Sequence, residues 1–348
     1  TQRQQVPMCG VPFHTIDSYI DRLVNKGFKV AIAEQTEEPQ QGKGLVKREI
    51  VRIVTPATVI NSTLLSDKAN NFFIALAQVG SLFGLAVLDL TTAEFRVLEL
   101  ENIKEMANEL LRLKPSELLC AKKFAKQQAL FLEELSFSFN FVLNTKEDWY
   151  FEHQSALDTL QEHFRMQTLD GLGLKGILAG VNAAGALFAY LKNELNLNLS
   201  HIKQLQTEQR DTYMALDYSC VRNLELVQEL TDSGKKNKNT LLSFLDETAT
   251  PMGGRLLKQW LLKPLLCPKQ IKSRQEVIQA FLRHPEKSVA LQQHLSQVRD
   301  LQRLMMRITS NFASPKDLVA LRFSLEQIPA IKSLLDFNTP LLDSCKKE

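Results

Sequence analysis

The segment PMCGVPFH, residues 7–14, places Gly10 between two prolines shortly before an expected helix. Because proline restricts its φ angle and glycine carries no side chain, the segment favours a rigid, tight turn whose backbone amides can approach another surface closely. A phosphate group would suit such a surface. A rigid loop that only leads into the helix explains the same residues, with His14 as a polar residue at the helix start. The pattern leaves both interpretations open.

A strand is expected over residues 45–54, LVKREIVRIV, and it carries several cations. Arg48 and Arg52 are an even number of positions apart, so a regular strand would project both from one face, about 13 Å apart. With Lys43 and Lys47 nearby, such an edge could straddle phosphates and release their counterions. A strand edge that its charges protect from unwanted pairing has the same composition, so this alternative also stays open.

Carboxylates in the middle of the chain raise the question of metal-dependent hydrolysis. Asp89 ends an expected strand, and Glu94 and Asp170 lie in the same region. A nuclease built on paired carboxylates would need further acids that converge on the same ions. Asp89 is followed by Leu-Thr-Thr, so a turn residue is the simpler interpretation.

Nucleotide-binding motifs are either absent or lie in the wrong secondary-structure context. GLGLKG, residues 171–176, has the spacing G-x-G-x-x-G, but the preceding segment predicts a helix where the dinucleotide fingerprint needs a strand. No G-x-x-x-x-G-K-[ST] occurs, and the Gly-Lys pairs at 42–43 and 234–235 lack the required Ser or Thr. Neither a Ser/His/Asp nor a Cys/His catalytic signature is present. We therefore expect no enzymatic activity and no bound cofactor or metal in this chain.

The segment DETATPMGGRLLKQWLLKPL, residues 246–265, predicts a capped helix. Gly253 and Gly254 would let another segment come close. Arg255 and Lys258 are interpreted as solvated charges on this packing helix. Its expected apolar face consists of Leu256, Leu257, Trp260 and Leu261.

Bulk composition indicates a globular protein of several modules. The 348 residues exceed one ordinary domain, and 44% are hydrophobic and 23% charged. The net charge of +3 is too small for a chain that coats nucleic acid along its whole length, so any DNA contact must be local. The apolar run 177–190 is too short for a membrane span and predicts a buried helix.

The cysteines and the first residues bear on location. No C-x-x-C pair occurs among the five scattered cysteines, which favours a reducing cytoplasm. Because the sequence opens with neither Met nor a signal peptide, we expect it to begin inside a longer protein. The five cysteines are Cys9, Cys120, Cys220, Cys267 and Cys345.

Hydrophobic periodicity divides the chain into three modules. The first is small and α/β, with a helix from Thr15 to Gly27 and strands at 28–33 and 45–54. The second opens with three strand-like runs after residue 71 and then alternates strands with helices, which predicts a mixed sheet covered by helices. Beyond 213 the pattern is helical, with proline starting helices at 251, 268 and 315. The fold class is multidomain α/β plus all-α.

Five segments occur in an order that is specific to one family: PMCGVPFH, YIDRLVNKGFKVAIAEQ, KGLVKREIVRIVTP, LDYSCVRNLEL and DETATPMGGRLLKQWLLKPL. They resemble the bacterial MutS family of DNA mismatch-repair proteins. The resemblance covers nearly the whole chain and is weaker through about 100–200 and in RDLQRLMMRI and SPKDLVALRFSLEQIP. Ala57 departs from the family, where VTP is usually followed by glycine, which affects the exact turn at that point.

The resemblance implies a division of the chain. Residues 1–57 are similar to the C-terminal half of the mismatch-binding domain, 71–200 to a connector domain with a ribonuclease-H-like fold, and 213–348 to the first part of the helical core and lever domain. Residues 58–70 and 201–212 are then linkers.

The resemblance also implies DNA contacts. In the family, the loop matching residues 8–14 lies against the DNA backbone beside the mismatch, and the position matching Arg48 also reaches DNA. An aromatic that stacks into the double helix, with a carboxylate two positions later, lies before this loop in the family, so we expect it outside this chain. Phe131-Leu132-Glu133 repeats that spacing by coincidence inside an expected helix. The expected DNA-binding residues are Met8, Cys9, Gly10, Val11, Pro12, His14 and Arg48.

Function and partners follow from the same resemblance. It implies binding of double-stranded DNA with mismatches or small loops, a MutL-like repair partner at the connector, and no membrane. For the full-length family it implies ATP and magnesium as cofactors and a homodimer, in a cytoplasmic, nucleoid-associated location. The alternatives are a metal-dependent nuclease of ribonuclease-H-like fold and a protein-interaction scaffold.

Overall fold

The computed structural model describes residues 8–12, 15–35, 47–59, 66–208, 212–230, 239–310, 312–337 and 339–347. The first part of the chain forms a helix packed on a two-stranded ribbon. It consists of α1 (Ile16–Asn25), β1 (Val30–Gln35) and β2 (Arg48–Val54), and the two strands are antiparallel. We call this unit the ribbon module.

The ribbon module has a small core of its own. Ile20 and Val24 lie one helical turn apart on α1 and pack against Val54 and Val59. Gly27 follows the helix with a φ of 84°, a conformation that glycine adopts at little cost and that turns the chain into β1. The predicted helix and both strands are confirmed. Thr15 stands at the N-cap, but its hydroxyl donates to the Pro12 carbonyl rather than capping the helix.

The second unit, the sheet module, contains a six-stranded mixed sheet. Three antiparallel strands come first, β3 (Phe72–Val79), β4 (Leu82–Asp89) and β5 (Glu94–Leu100). Then β6 (Glu117–Ala121) pairs parallel with β3, β7 (Val142–Lys146) with β6, and the short β8 (Gln206–Thr207) with β5. The strand order is β7-β6-β3-β4-β5-β8.

Helices cover both faces of this sheet, which confirms the predicted mixed sheet. They are α2 (Ile103–Leu113), α3 (Lys122–Gln127), α4 (Ala129–Ser138), α5 (His153–Phe164) and α6 (Ala179–Ala189), which continues as a π-helical turn, Tyr190–Glu194. Alternate residues of β3 face opposite layers: Phe73 packs toward α5 and α6, whereas Ile74 packs toward α2 and α4. Because helices cover both faces of the sheet, residues on both sides of β3 and β4 are buried, which explains why these strands are continuous apolar runs in the sequence.

The apolar run at 177–190 forms the buried helix that was predicted. All but one of the residues of α6 are buried. At Gly84 of β4, an added Cβ would lie 2.0 Å from the carbonyl carbon of Ala179, so the helix crosses the strand directly over this glycine. No helix among the described residues is both long enough and apolar enough to cross a membrane.

The third unit, the helical module, follows residue 212. Proline starts α9, α10 and α13 at the three predicted positions, and Ser314 with Asp317 forms a capping box at α13. The predicted all-helical character holds for the named elements. They are α7 (Tyr218–Asn223), α8 (Leu241–Leu245), α9 (Pro251–Leu262), α10 (Pro268–Arg283), α11 (Pro285–Gln297), α12 (Leu301–Thr309), α13 (Pro315–Glu326), α14 (Ile328–Leu334) and α15 (Pro340–Lys347).

Candidate nucleic-acid interface

The loop before α1 is open to solvent throughout its described part, Met8–Pro12. Met8 is 98% exposed, and a Cβ added at Gly10 would meet no atom within 4 Å. Thr15 fastens the end of the loop to the helix, because its backbone amide and its hydroxyl both donate to the Pro12 carbonyl, at 3.0 and 2.9 Å. The loop therefore presents its backbone outward from an anchored end. His14 lies outside the described residues.

The ribbon carries a β-bulge that changes which side chains share a face. Arg48 lies opposite Gln35 and Arg52 lies opposite Ile32, and the register shifts between Ile32 and Ala33. Gln35 and Ile32 are three positions apart on β1, so their side chains, and with them those of Arg48 and Arg52, point to opposite faces. The prediction that the two arginines share a face is wrong, because the bulge adds a residue to β2 between them.

The two arginines consequently have different surroundings. Arg48 is exposed at the start of β2 and, within the described part of the chain, forms no ion pair. Arg52 is half-buried, and its guanidinium stacks over the ring of Phe312 from the helical module, 4.9 Å from the ring centre. Next to Arg48, Lys47 pairs with Glu49 at 2.6 Å. Arg48 is thus available to an external anion, whereas Arg52 joins two modules.

The structure leaves Arg48 and the loop as separate elements of one module. Among the residues that it describes, no hydrogen bond or ion pair links Arg48 to Met8–Pro12. Both features are exposed. The loop leads into α1 and Arg48 lies on β2, and the hydrophobic core that α1 shares with the ribbon holds these two elements together. Because both elements are open to solvent, an extended polyanion is a ligand that could reach them.

A buried polar network attaches the ribbon module to the sheet module. The Ala57 amide and the Asn144 side chain each donate to the carboxylate of Glu117, both at 2.8 Å. Lys29 donates to Asn144 and to the Tyr190 hydroxyl. Burial raises the pKa of Glu117, although these hydrogen bonds and the nearby Lys29 oppose the shift.

Ala57 itself is accommodated without strain. It is fully buried in the 3-10 turn Pro56–Thr58, and it is not among the residues with a positive φ. A side chain is therefore tolerated where the family usually has glycine.

The carboxylates considered for hydrolysis do not form a metal centre. Asp89 is fully buried, and its oxygens accept hydrogen bonds from Asn70, from the Asn71 amide, and from the amide and hydroxyl of Thr91. Such an Asp stabilises the turn after β4, which confirms the simpler interpretation. Glu94 pairs with Arg96 instead. Over the described ranges, no group of three or more His, Cys, Asp or Glu side chains could hold a metal ion.

The glycine-rich segment 171–176 also has the predicted structural role. It follows α5, begins within a short 3-10 turn, Asp170–Leu172, and precedes α6. Gly173 and Gly176 have φ values of 74° and 80°, which explains why glycine stands there. Since a helix precedes the segment, the strand that the dinucleotide fingerprint requires is not in place.

Helix α9 packs against other segments, as predicted, but its expected apolar face and both of its expected solvated charges were wrong. Leu256 and Trp260 are 47% and 42% exposed, and Lys258 is partly buried. Gly254 allows a close approach, because an added Cβ would lie 2.6 Å from Cδ of Lys68. Arg255 is buried and forms a two-pronged ion pair with Asp300, at 2.6 and 2.9 Å. It also donates to the Asp67 carbonyl. Interpreting Arg255 as solvated was wrong, since its partners come from segments distant in sequence.

Further polar contacts join the helical module to the described end of the expected linker. Arg303 donates to the Ala69 carbonyl, and Lys68 pairs with Asp246 at 2.9 Å. Nothing in the local pattern around Lys68 or Arg303 indicates these contacts. They would be found from sequence only by pairing residues more than 170 positions apart.

Comparisons with known proteins agree with the order of the modules. Family models for MutS domain I, MutS domain II and MutS domain III match residues 1–63, 71–203 and 219–347. A DNA mismatch repair protein MutS from Protochlamydia amoebophila is 51% identical over 96% of this chain and 39% of its own length. Namesakes from Chlamydia pneumoniae and Lachnoclostridium phytofermentans are 44% and 38% identical, over 93% and 96% of this chain and 40% and 36% of their lengths.

The chain therefore spans about two fifths of the length of the curated relatives it matches. Three domain models of one family match in the expected order, and together they cover nearly all of the sequence. The chain belongs to the MutS family of DNA mismatch-repair proteins, and its three parts match domains I, II and III of that family.

Proposed function

We propose that this chain takes part in DNA mismatch recognition and binds the backbone of double-stranded DNA that contains mismatches or small loops. The observation that carries the proposal is the match of residues 1–63 to MutS domain I, together with the exposure of Met8–Pro12 and of Arg48 in that domain. The proposed contact residues remain Met8, Cys9, Gly10, Val11, Pro12, His14 and Arg48.

The chemistry of these residues suits positioning rather than base reading. Exposed backbone amides and one arginine can bind phosphate oxygens, which give register and affinity but carry no sequence information. Gly10 supports the proposal because its open side lets a sugar-phosphate chain come close to the backbone. Discrimination then depends on a side chain that unstacks a base step, which costs least where pairing is already broken.

The other two modules fit a transmitting role in this proposal. Three antiparallel strands, with β6 and β7 added in parallel beside β3 and the short β8 in parallel beside β5, support a ribonuclease-H-like fold for the connector. The helical module contacts both the ribbon, through Phe312, and the residues before β3, through Arg255 and Arg303. DNA bending could therefore be coupled to a distant site through these contacts, provided that the parent protein has two states.

Partners and cofactors of the parent protein are part of the same proposal. We expect a MutL-like repair protein to bind at the connector and the full-length protein to act as a homodimer in the cytoplasm, near the nucleoid. ATP and magnesium would serve an ATPase of the full-length protein, because this sequence contains no P-loop. The chain itself would bind DNA and transmit the bending of the DNA without catalysing a reaction.

Fluorescence anisotropy with labelled matched and G·T duplexes tests the proposal on this chain. We expect dissociation constants of about 10⁻⁴–10⁻⁶ M at physiological salt, without preference for the mismatch, because the proposed contacts are to backbone. A protein-interaction scaffold that ignores DNA would give no anisotropy change even at low salt. A clear preference for the G·T duplex would contradict the positioning role.

Arg48→Ala, compared with Arg52→Ala, tests the contact residue. Both variants remove one charge from the same strand, but the two side chains lie on opposite faces. We expect Arg48→Ala to weaken binding about 3- to 10-fold and to reduce the magnitude of the salt slope by about 0.9, the value for one phosphate contact. Arg52→Ala should leave the slope unchanged. Equal effects of the two variants would mean that general charge, rather than the Arg48 face, binds DNA.

A further inference from the structure

A cleft lies between the sheet module and helix α9, away from the loop and Arg48. Its volume is about 330 Å³, within the range of roughly 300–1,000 Å³ that small-molecule sites occupy. Apolar side chains from both modules form part of its wall: Phe72, Leu113, Met252, Leu256 and Leu262. Glycine and polar side chains complete the lining, so the cleft can hold an apolar group beside a charged one.

Five cations also line the cleft, and carboxylates neutralise four of them. Arg96 pairs with Glu94 and Glu208, at 3.4 and 3.3 Å. The remaining pairs are Arg112 with Glu109, Lys263 with Glu208, and Arg255 with Asp300. Each of these four cations therefore has an anion already in place.

Lys258 is the fifth cation, and it differs from the others. It lies on α9, it is partly buried, and it lines the cleft. Within the described residues it has neither an ion pair nor a hydrogen bond. Burial lowers the pKa of its ammonium group, and no neighbouring carboxylate offsets this effect. An ammonium group that is partly removed from water without a counterion is unfavourable, and a ligand anion would relieve that cost.

We propose that this cleft binds a small molecule that carries one oxyanion, a phosphate monoester or a carboxylate, on an apolar body, with Lys258 as the counterion. The apolar body would contact Phe72 from the sheet module and Leu256 from α9. A ligand held in this way touches both modules, so it would stabilise their present arrangement by binding it preferentially.

Phenyl phosphate is a suitable probe, because it combines a small aromatic ring with a phosphate. Isothermal titration calorimetry on the whole chain should show saturable binding. Benzyl alcohol, which has a ring but no charge, should bind at least about tenfold more weakly, because it cannot form an ion pair with the partly buried ammonium group of Lys258. Inorganic phosphate should bind more weakly than phenyl phosphate if the apolar walls contribute.

Substitutions locate the site. Lys258→Met, which keeps an unbranched apolar side chain only one atom shorter, should weaken phenyl phosphate binding at least about tenfold. Lys258→Arg should retain the binding within about threefold, since it keeps the charge. Lys272→Met removes an exposed charge from α10 and should have no effect. Thermal unfolding midpoints of the unliganded variants show whether each one is folded before titration.

The pH dependence provides a second readout. Affinity should fall as the pH rises through the lowered pKa of Lys258, because the neutral amine no longer attracts an anion. Lys263, whose pKa is lowered to about 8, could contribute in the same direction. The loss of affinity is therefore assigned to Lys258 only if it disappears in Lys258→Met. The facing groups Arg96, Arg112, Arg255 and Glu94 are present in every variant. Absence of saturable binding, or equal binding by Lys258→Met and the unmodified chain, would overturn the proposal.

Discussion

The sheet module and the helical module of this chain are stabilised by different kinds of contact. In β3 and β4, Phe73–Leu76 and Leu85–Leu88 are completely buried over consecutive positions, because helices cover both faces. In the helical module, α10, α11 and α14 contain no buried residue within the part of the chain described. Ion pairs and helix caps are prominent there, such as Arg255 with Asp300 and Arg307 with Asp317.

Because of this difference, the two modules should respond differently to a small displacement of their elements. Apolar burial is spread over many atoms and is insensitive to the direction of a small displacement. An ion pair depends on the position of a few atoms, so a shift between helices changes it strongly. Regions with few buried apolar contacts also open at lower free energy than a packed core does. A rigid sheet beside adjustable helices would suit the transmitting role proposed above.

The largest expected effect is in the sheet module. Phe73 is completely buried, and its ring lies 5.8 Å from that of Tyr190. Phe73→Ala should lower the free energy of unfolding by about 3–5 kcal/mol, because it removes buried apolar area and leaves a cavity. Urea denaturation followed by circular dichroism measures the change.

Phe137→Ala is the matched control for that measurement. Phe137 belongs to α4 of the same module but is 82% exposed. Its removal should change the free energy of unfolding by no more than about 0.5 kcal/mol. If both variants had equal effects, burial would not be the main source of stability in the sheet module, and the contrast with the helical module would fail.

A somewhat smaller effect is expected from the helical module. Arg255 and Asp300 have side chains that are only 7% and 14% exposed. Arg255→Ala should cost about 3 kcal/mol, the lower end for a broken buried pair, because Asp300 keeps its cap hydrogen bond to the Arg303 amide. Hydrogen exchange should show lost protection in α9 and α12 but unchanged protection in β3 and β4.

Arg322→Ala provides the control for the buried pair. Arg322 forms an exposed pair with Glu326 on α13, at 3.2 Å. Such a surface pair contributes about 0.3–0.5 kcal/mol, so this variant should resemble the unmodified chain. Loss of protection in β3 and β4 on Arg255→Ala would mean that the two modules unfold together, contrary to the comparison.

The same difference determines how far the sequence predicts the fold. The strands and helices of the sheet module follow from periodicity, because a core covered on both faces requires long apolar runs between turn residues. The helix starts at Pro251, Pro268 and Pro315 follow from local capping chemistry. Partners such as Arg255 and Asp300 do not follow, because an arginine in a helix looks the same whether it meets water or a distant carboxylate.

The candidate interface is predictable to a similar, limited degree. The exposed loop and Arg48 follow from the motif and from residue type. The bulge in β2 does not, because it depends on how two strands pair and not on the pattern of either one. It separates Arg48 from Arg52, and it turns an apparent row of cations into one exposed charge and one contact with Phe312.

The smallest expected effect concerns the contact between the two modules and depends on pH. His201 of the sheet module lies 3.4 Å from the Ser310 hydroxyl of the helical module, and burial lowers its pKa to about 4. The unfolded chain takes up a proton near pH 6.5, whereas the folded protein does so only near pH 4. Stability from the neutral ring is therefore fully present above about pH 6.5 and is lost as the pH falls toward 4.

His201→Gln should remove that loss, because glutamine does not titrate. Between pH 7 and pH 4.5 the unmodified chain should lose about 2 kcal/mol more stability than His201→Gln, measured as urea midpoints at matched ionic strength. His284→Gln, at a half-exposed position on the helical module, should behave like the unmodified chain. Parallel pH profiles for the unmodified chain and His201→Gln would mean that the ring is hydrated in the folded protein. The contact between the rigid sheet and the adjustable helices would then be looser than the distance to Ser310 indicates.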